Sequence, residues 1–190
     1  SYTYAPHIAT AFIAACSTKV TLYVLLRFDF VVFQPNLAGH EWQFAGFLLP
    51  LALIAILVAS GVALFETNLK RLLAYSSIAQ LGYIWLGASF ITTAGLTASV
   101  VHIFNHGLAK GTLFLAVVCL GLRFASLSLS DLKGAGRSMP WTMGAFVLAG
   151  MSLVGVPGTA GFISKWYLIS AALEQGSLGI AVVVVVLVSS

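Results

Sequence analysis

The chain has 190 residues, 60% of them hydrophobic and 7% charged, with a mean hydropathy of +1.04, against roughly 25% charged residues in an ordinary soluble domain. This composition excludes a soluble globular enzyme and describes an integral membrane protein, whose structural unit is a spanning helix of about 20 apolar residues. The net charge of +4 is small and its Lys and Arg residues are scattered, so nucleic acid is given no basic footprint.

Six hydrophobic segments follow in chain order. The first, about 6–28, contains "AACSTKVTLYVLLRF", in which Lys19 lies about 12 Å inside Arg27 along a helix. Arg27 suits an interfacial anchor, whereas Lys19 either snorkels or is held inside for a purpose. Cys16 here and Cys119 in the fourth segment sit in separate apolar runs, without CxxC or metal-ligand spacing, and read as small buried residues. The second segment, about 42–65, is apolar all round, with Pro50 near its start, where a missing N–H costs least. The third, about 72–91, is reached through "FETNLKRLLAYSS", where Glu66 and Lys70 stand at i, i+4 and pair if that turn is helical. The fourth covers about 95–122 and the fifth about 140–173. The sixth begins near 178 and stops after about 13 apolar residues, short of a span. With Ser1 first and no signal-type pattern, the chain reads as a fragment cut at both ends. The expected fold is all-α: a polytopic transmembrane helix bundle with about five complete helices plus a truncated sixth, one of them discontinuous.

The charges orient these segments. Lys70, Arg71, Arg123, Lys133 and Arg137 all fall in or beside the second-to-third and fourth-to-fifth connections, and the opposite face has only Arg27. The positive-inside rule makes the Lys/Arg-rich face cytoplasmic. Trp42 and Trp141 fit interfacial anchors on the same reasoning, and Trp166 lies near a helix break. Asp131, Lys133 and Arg137 read as a solvated connection, with a contact to another subunit as a second use.

Within the fourth segment, "VHIFNHGLAKGTLF" places His102, His106 and Lys110 at i, i+4 and i+8, one above another on a single helix face. A charged lysine at mid-helix costs at least about 2.5–3.5 kcal/mol to insert, so the site must offset it. A structural account has the histidines bonding carbonyls of other helices and the lysine snorkelling. The functional account has the stripe carrying protons or ions, the usual role of ionisable groups at this depth. Zinc is the weaker rival, since two histidines without a carboxylate or Cys, beside a repelling lysine, make a poor site.

A straight helix over the fifth segment would measure about 51 Å against a hydrocarbon core of about 30 Å. Gly155, Pro157, Gly158 and Gly161 interrupt it, so a broken helix is expected, with half-helix ends presenting backbone groups at membrane depth. Lys165 follows directly. No Asp or Glu lies within the five complete segments. Either the buried lysines are neutral for part of a cycle, or their acidic partner lies elsewhere. Tyr75, Ser76 and Ser77 could hold water or simply pack helices. There is no nucleotide loop, no flavin or quinone signature and no iron–sulfur spacing, so no cofactor or metal is expected.

The stretches "TKVTLYVLLRF" (18–28), "FETNLKRLLAYSSIAQLGY" (65–83), "HIFNHGLAKGTLFLA" (102–116) and "SLVGVPGTAGFISKWYL" (152–168) resemble the antiporter-like, proton-translocating membrane subunits shared by respiratory complex I and Mrp-type cation/proton antiporters. In detail, "RSMPWTMGAFVLAGMSLVGVPGTAGFISKWYL" is most similar to the D-type component of the Mrp antiporters. The resemblance implies about fourteen helices in two inverted five-helix repeats, with the present chain covering the eighth to thirteenth and its fifth segment being the interrupted twelfth. It implies that Lys19 is the eighth-helix lysine, that Lys110 with His102 and His106 is the eleventh-helix stripe, and that Lys165 is the twelfth-helix group near the exit half-channel. The family's fifth-helix glutamate and seventh-helix lysine would precede Ser1, so this portion is not expected to transport alone. Other membrane subunits of an antiporter or respiratory complex are the implied partners, with protons and Na⁺ as the ions, in a bacterial plasma membrane; mitochondrial relatives exist in the family. The driving force is either redox chemistry, as in complex I or a related membrane-bound hydrogenase, or an ion gradient. A structural membrane protein with inert polar residues is the third class.

Overall fold

The computed structural model describes residues 12–33, 41–124, 126–174, 176 and 180. Seven helices stand in this set. Helix α1 comprises Thr18–Arg27, continued by π-helical turns at Ile13–Ser17 and Phe28–Phe33. It is followed by α2 (Glu41–Leu64), α3 (Leu69–Ser89), α4 (Thr93–Arg123), the single turn α5 (Ala135–Ser138), α6 (Pro140–Val154) and α7 (Ala160–Glu174). Residues 6–11 of the first expected segment and all but Ile180 of the sixth from 177 onward lie outside the described residues.

The helix starts are set locally. The Asn68 side chain accepts from the backbone N–H groups of Lys70 and Arg71 at 3.0 and 3.4 Å, and Thr92 Oγ1 accepts from Gly95 N at 3.0 Å. Both residues cap helices whose first amides have no partner inside the helix. Asn68 also bridges to Ser128, tying the second-to-third and fourth-to-fifth connections together on one face.

Gly46–Leu64 of α2 and the whole of α4 are long and apolar enough to cross a membrane. On α2 the outward residues Phe47, Leu51, Ile54, Leu57 and Val58 are exposed, an apolar surface that suits lipid. Its inward residues Ala52 and Ile56 join Tyr83, Leu86 and Phe90 of α3, Ala98 of α4, and Leu168 and Ala171 of α7 in one core. A second core at the other end joins Leu69 and Leu73 of α3 to Leu113, Phe114, Val117 and Leu120 of α4 and to Ala149 of α6. A third holds α1, through Leu22 and Leu26, against Ile84, Ala88 and Ile103.

Several expectations are corrected. Pro50 is inside α2, because the helix begins at Glu41, more than two turns earlier; its ring occupies an exposed position. Cys16 and Cys119 are exposed rather than buried, each on the outward side of its helix, where an apolar thiol meets lipid as readily as protein. Glu66 pairs with Arg71 at 2.8 Å and not with Lys70. The reason is that residues 65–68 form a turn rather than a helix, so the i, i+4 relation does not apply, and Lys70 is buried in the first turn of α3. Asp131, Lys133 and Arg137 are exposed, as a solvated connection requires, although that connection contains the unexpected α5. Trp141 and Trp166 are exposed; the side chain of Trp42 lies outside the described set.

Candidate functional site

The buried positions of α4 include Gly95, Ala98, Ser99, His102, His106, Ala109, Lys110 and Leu113, so its polar stripe turns into the bundle and away from lipid. Burial here is nearly complete. Lys110 is 0% exposed, His106 1%, Lys165 4%, His102 6% and Lys19 8%. The side chains of all three lysines thus lie inside the bundle and not along its outer surface.

Lys110 donates from Nζ to the Leu73 carbonyl at 2.7 Å and to Ser76 Oγ at 2.5 Å. The same carbonyl accepts from Ser76 and Ser77 at 3.1 and 2.9 Å, so three polar groups converge on one backbone oxygen of α3. One turn away His106 stacks on His102, with ring centroids 6.2 Å apart and planes 15° apart. Neither ring nitrogen of His106 has a hydrogen-bond partner among the described residues.

His102 is fully engaged. Its Nε2 lies 2.9 Å from Gln80 Oε1, and its Nδ1 lies 2.9 Å from Ser164 Oγ, which is also 2.9 Å from the Gly161 carbonyl. An amide oxygen only accepts, so in this arrangement Nε2 carries a proton. Ser164 has one hydrogen to give. Donated to Gly161 O, it leaves the hydroxyl oxygen to accept from a charged imidazolium; donated to Nδ1, it holds the neutral ring. Turning one hydroxyl hydrogen therefore fits the cage to either state.

The break between α6 and α7 is built as the sequence requires. Gly155 is left-handed at φ +86°, with its N–H bonded to Ser152 O at 3.2 Å and the Val156 N–H bonded to Met151 O at 3.1 Å, a paired termination that ends α6. Pro157 lies in the intervening turn and Gly158 is again left-handed at φ +91°. The termination leaves the Val154 carbonyl outside the helical ladder, and Lys165 donates to it at 2.8 Å while lying 5.1 Å from the centre of the Tyr83 ring. A Cβ on Gly155 would meet the Lys165 stem at 2.7 Å. Gly161 is needed for a different reason: a Cβ there would overlap the Ser152 carbonyl, and its N–H donates to Ser152 Oγ at 3.1 Å. Asn105 of α4 donates to the Ala160 carbonyl at 2.7 Å, fixing the start of α7.

Lys19 enters from α1, whose Leu22 and Leu26 pack against Ile84, Ala88 and Ile103, and its side chain is buried in the bundle. All five expected residues are buried in one bundle on three helices: Tyr83 lies against both Lys165 and His102, His102 stacks on His106, Lys110 follows one turn further along α4, and Lys19 is contributed by α1. Gln80, Tyr83, Ser152 and Ser164 also belong to it and were not singled out from the sequence. A lone amide in an apolar segment and a serine beside a buried lysine were the signals that could have found them.

A helical membrane bundle with basic groups in its interior and a broken helix beside them is a transporter-type architecture. The chain belongs to the transmembrane family described as NADH:quinone oxidoreductase/Mrp antiporter, which matches residues 1–189. It is 39% identical to NADH-quinone oxidoreductase subunit N of Desulforudis audaxviator, over 98% of this chain and 37% of that protein. Among solved structures it resembles a chain of the Mrp complex from Dietzia sp., with a TM-score of 0.87, 30% identity, and coverage of 96% of this chain and 33% of that one. It also resembles a chain of the membrane-bound sulfane sulfur reductase, an archaeal respiratory membrane complex, with a TM-score of 0.87, 32% identity, and coverage of 98% and 38%. The chain thus spans about a third of the length of these relatives.

Proposed function

We propose that this chain is the proton-conducting portion of an antiporter-like subunit, and that Lys19, His102, His106, Lys110 and Lys165 pass protons along the bundle interior. The observation that carries the reading is that five basic groups are buried in one bundle interior, three of them in register on the inward face of α4. Lysines that lose proton affinity on desolvation, and regain it when water or a neighbouring charge changes, can accept and release a proton in turn. The broken helix contributes the Val154 carbonyl to Lys165 and, through Gly161 and Ser164, the hydroxyl that accommodates either state of His102. The chain corresponds to helices eight to thirteen of the family, with the connections following α2 and α4 on the cytoplasmic side of a bacterial plasma membrane.

The assembly we favour is a multi-subunit monovalent cation/proton antiporter of the Mrp type, with this chain similar to its D-type component, on the residue detail of 137–168. A proton-pumping subunit of a complex I-type or related respiratory enzyme is the second reading, favoured by the 39% identity to a subunit N. In either, the partners are other membrane subunits and the ions are protons, with Na⁺ in the first. The test is proton uptake by vesicles holding the full-length protein in its complex. Lys110→Ala and Lys165→Ala should each abolish most of it with assembly intact; wild-type uptake by both assembled variants refutes the relay. Na⁺ movement against a pH gradient without an electron donor supports the antiporter, and activity only with a reductant supports the respiratory enzyme.

A further inference from the structure

His102 is gripped from three helices. Gln80 and Tyr83 stand one turn apart on α3, Ser164 belongs to α7, and His106 follows one turn along α4. The Tyr83 ring meets the imidazole edge-on with centroids 5.9 Å apart, and His106 stacks on its face, so turning the buried ring over would displace both. The two nitrogens therefore keep separate neighbours: Nε2 faces Gln80 Oε1 and Nδ1 faces Ser164 Oγ, each at 2.9 Å. These neighbours differ in kind. A serine hydroxyl gives or takes a hydrogen bond, whereas an amide oxygen only takes one. We propose that Gln80 is a positioning residue of the relay: by holding the Nε2 proton it leaves His102 a single exchanging nitrogen, Nδ1, which faces the second half-helix.

Two neutral forms of the ring compete, and the groups around it decide between them. With the proton on Nε2, that N–H donates to Gln80 and the Nδ1 lone pair accepts from Ser164. With the proton on Nδ1, the ring donates to Ser164 Oγ and the hydroxyl donates to Gly161 O, which is equally satisfied. In that second form, however, Nε2 sets a lone pair against the amide oxygen, with no hydrogen between them. Ser164 suits both forms, so the discrimination comes from Gln80. A proton that arrives at Nδ1 makes the imidazolium, whose Nδ1–H donates to Ser164 while the hydroxyl hydrogen turns to Gly161 O. The same proton leaves from Nδ1, and Nε2 keeps its own throughout. Nor does the stack offer a second route, because rings lying face to face with planes 15° apart do not aim their nitrogens at each other. In this packing His102 exchanges toward α7 and not directly with His106.

The inference rests on the proton-relay reading for what the ring does with its proton, but the tautomer itself is read without transport. In the full-length protein in its complex, carrying isotope-labelled histidine in lipid, solid-state nitrogen NMR reports which nitrogen of the neutral ring bears hydrogen, and His102→Phe identifies the signals by their loss. The expected wild-type result is a protonated Nε2 and a bare Nδ1. Gln80→Leu, of similar size but without the oxygen, should move the proton to Nδ1 and lower proton flux at least about tenfold, because the exchanging nitrogen then faces an apolar side chain. Gln80→Glu retains an acceptor and should keep Nε2 protonated. A wild-type ring protonated on Nδ1, which an amide turned the other way would require, overturns the assignment. So does an unchanged tautomer, or wild-type flux, in Gln80→Leu. Gln80→Met replaces Gln80→Leu if the latter fails to assemble, and the wild-type tautomer is decisive by itself. The expected tautomers together with wild-type flux in Lys110→Ala and Lys165→Ala would retain the hold on His102 and end the relay, whereas the wrong tautomer with inactive lysine variants would do the opposite.

Discussion

Replacing Lys110 by methionine separates conduction from packing. Methionine keeps most of the volume of the lysine stem and loses only the ammonium, so the site is left without the cavity that alanine would open. Two hydrogen bonds disappear, to Leu73 O and Ser76 Oγ, at about 1.5–3 kcal/mol each for a charged donor. Against that loss stands the insertion cost of a lysine at mid-helix, about 2.5–3.5 kcal/mol, which methionine does not incur. The Leu73 carbonyl is not orphaned, since the hydroxyls of Ser76 and Ser77 still donate to it. The balance is a destabilisation of no more than about 3.5 kcal/mol, and assembly should survive. Proton flux, in contrast, loses one carrier of the proposed relay, and a fall of about 10²-fold is expected, the lower end of what a positioned proton-transfer group supplies. The assay is dye-reported proton uptake by vesicles with matched amounts of assembled protein, run beside thermal unfolding of the purified complex. Flux at the wild-type level with Lys110→Met refutes the relay. So does a loss of flux that merely tracks a loss of folded protein.

Three other outcomes follow from the same geometry. Ser164→Ala removes the hydroxyl that faces His102 Nδ1 and Gly161 O; flux should fall about tenfold, the equivalent of about 1.4 kcal/mol, with Ser164→Thr restoring it, and failure of threonine to rescue would reduce Ser164 to a packing role. Gly161→Ala drives a methyl group into the Ser152 carbonyl, so α6 and α7 must separate at about 1–3 kcal/mol; an unchanged unfolding midpoint in thermal denaturation would show that the two half-helices are not held by this contact. His106→Phe exchanges a ring whose two buried nitrogens have no partner among the described residues for one with no nitrogens, so the unfolding midpoint should hold or rise while flux collapses; intact flux would take His106 out of the path.

Most of the architecture was legible because it follows from periodicity and from the membrane. The long apolar runs predicted α2, α3 and α4 to within a few residues, and the excess length of 140–173 together with its glycines and proline predicted the gap between α6 and α7. The i, i+4, i+8 spacing predicted one inward stripe. What was not legible depends on which neighbour a face meets. Gln80 of α3 and Ser164 of α7 are distant in sequence from His102, and only packing brings them to its two nitrogens. The Glu66 pairing failed for a local reason, the cap at Asn68, which breaks helical spacing just where it was applied. The cysteines failed because burial habits learned from water-soluble proteins do not carry over to a helix whose outer side is as apolar as its core.

The arrangement of partners around the stripe bears on the proposal that it carries protons. Lys110 at one end is held by α3, and His102 and Lys165 toward the other are held by Gln80, Ser164 and the Val154 carbonyl. Between these two hydrogen-bonded groups stands His106, buried and with neither nitrogen bonded among the described residues. The void beside it has no room for a water molecule. A purely structural histidine would be expected to satisfy at least one nitrogen, because leaving a buried polar atom unpaired costs about 1–3 kcal/mol. A relay needs the reverse, a member that exchanges partners and is therefore poorly held by any one of them. Under the proposed relay, His106 would complete the line only once its ring turned or its surroundings opened to water, which makes it the step at which that proposal places control of conduction.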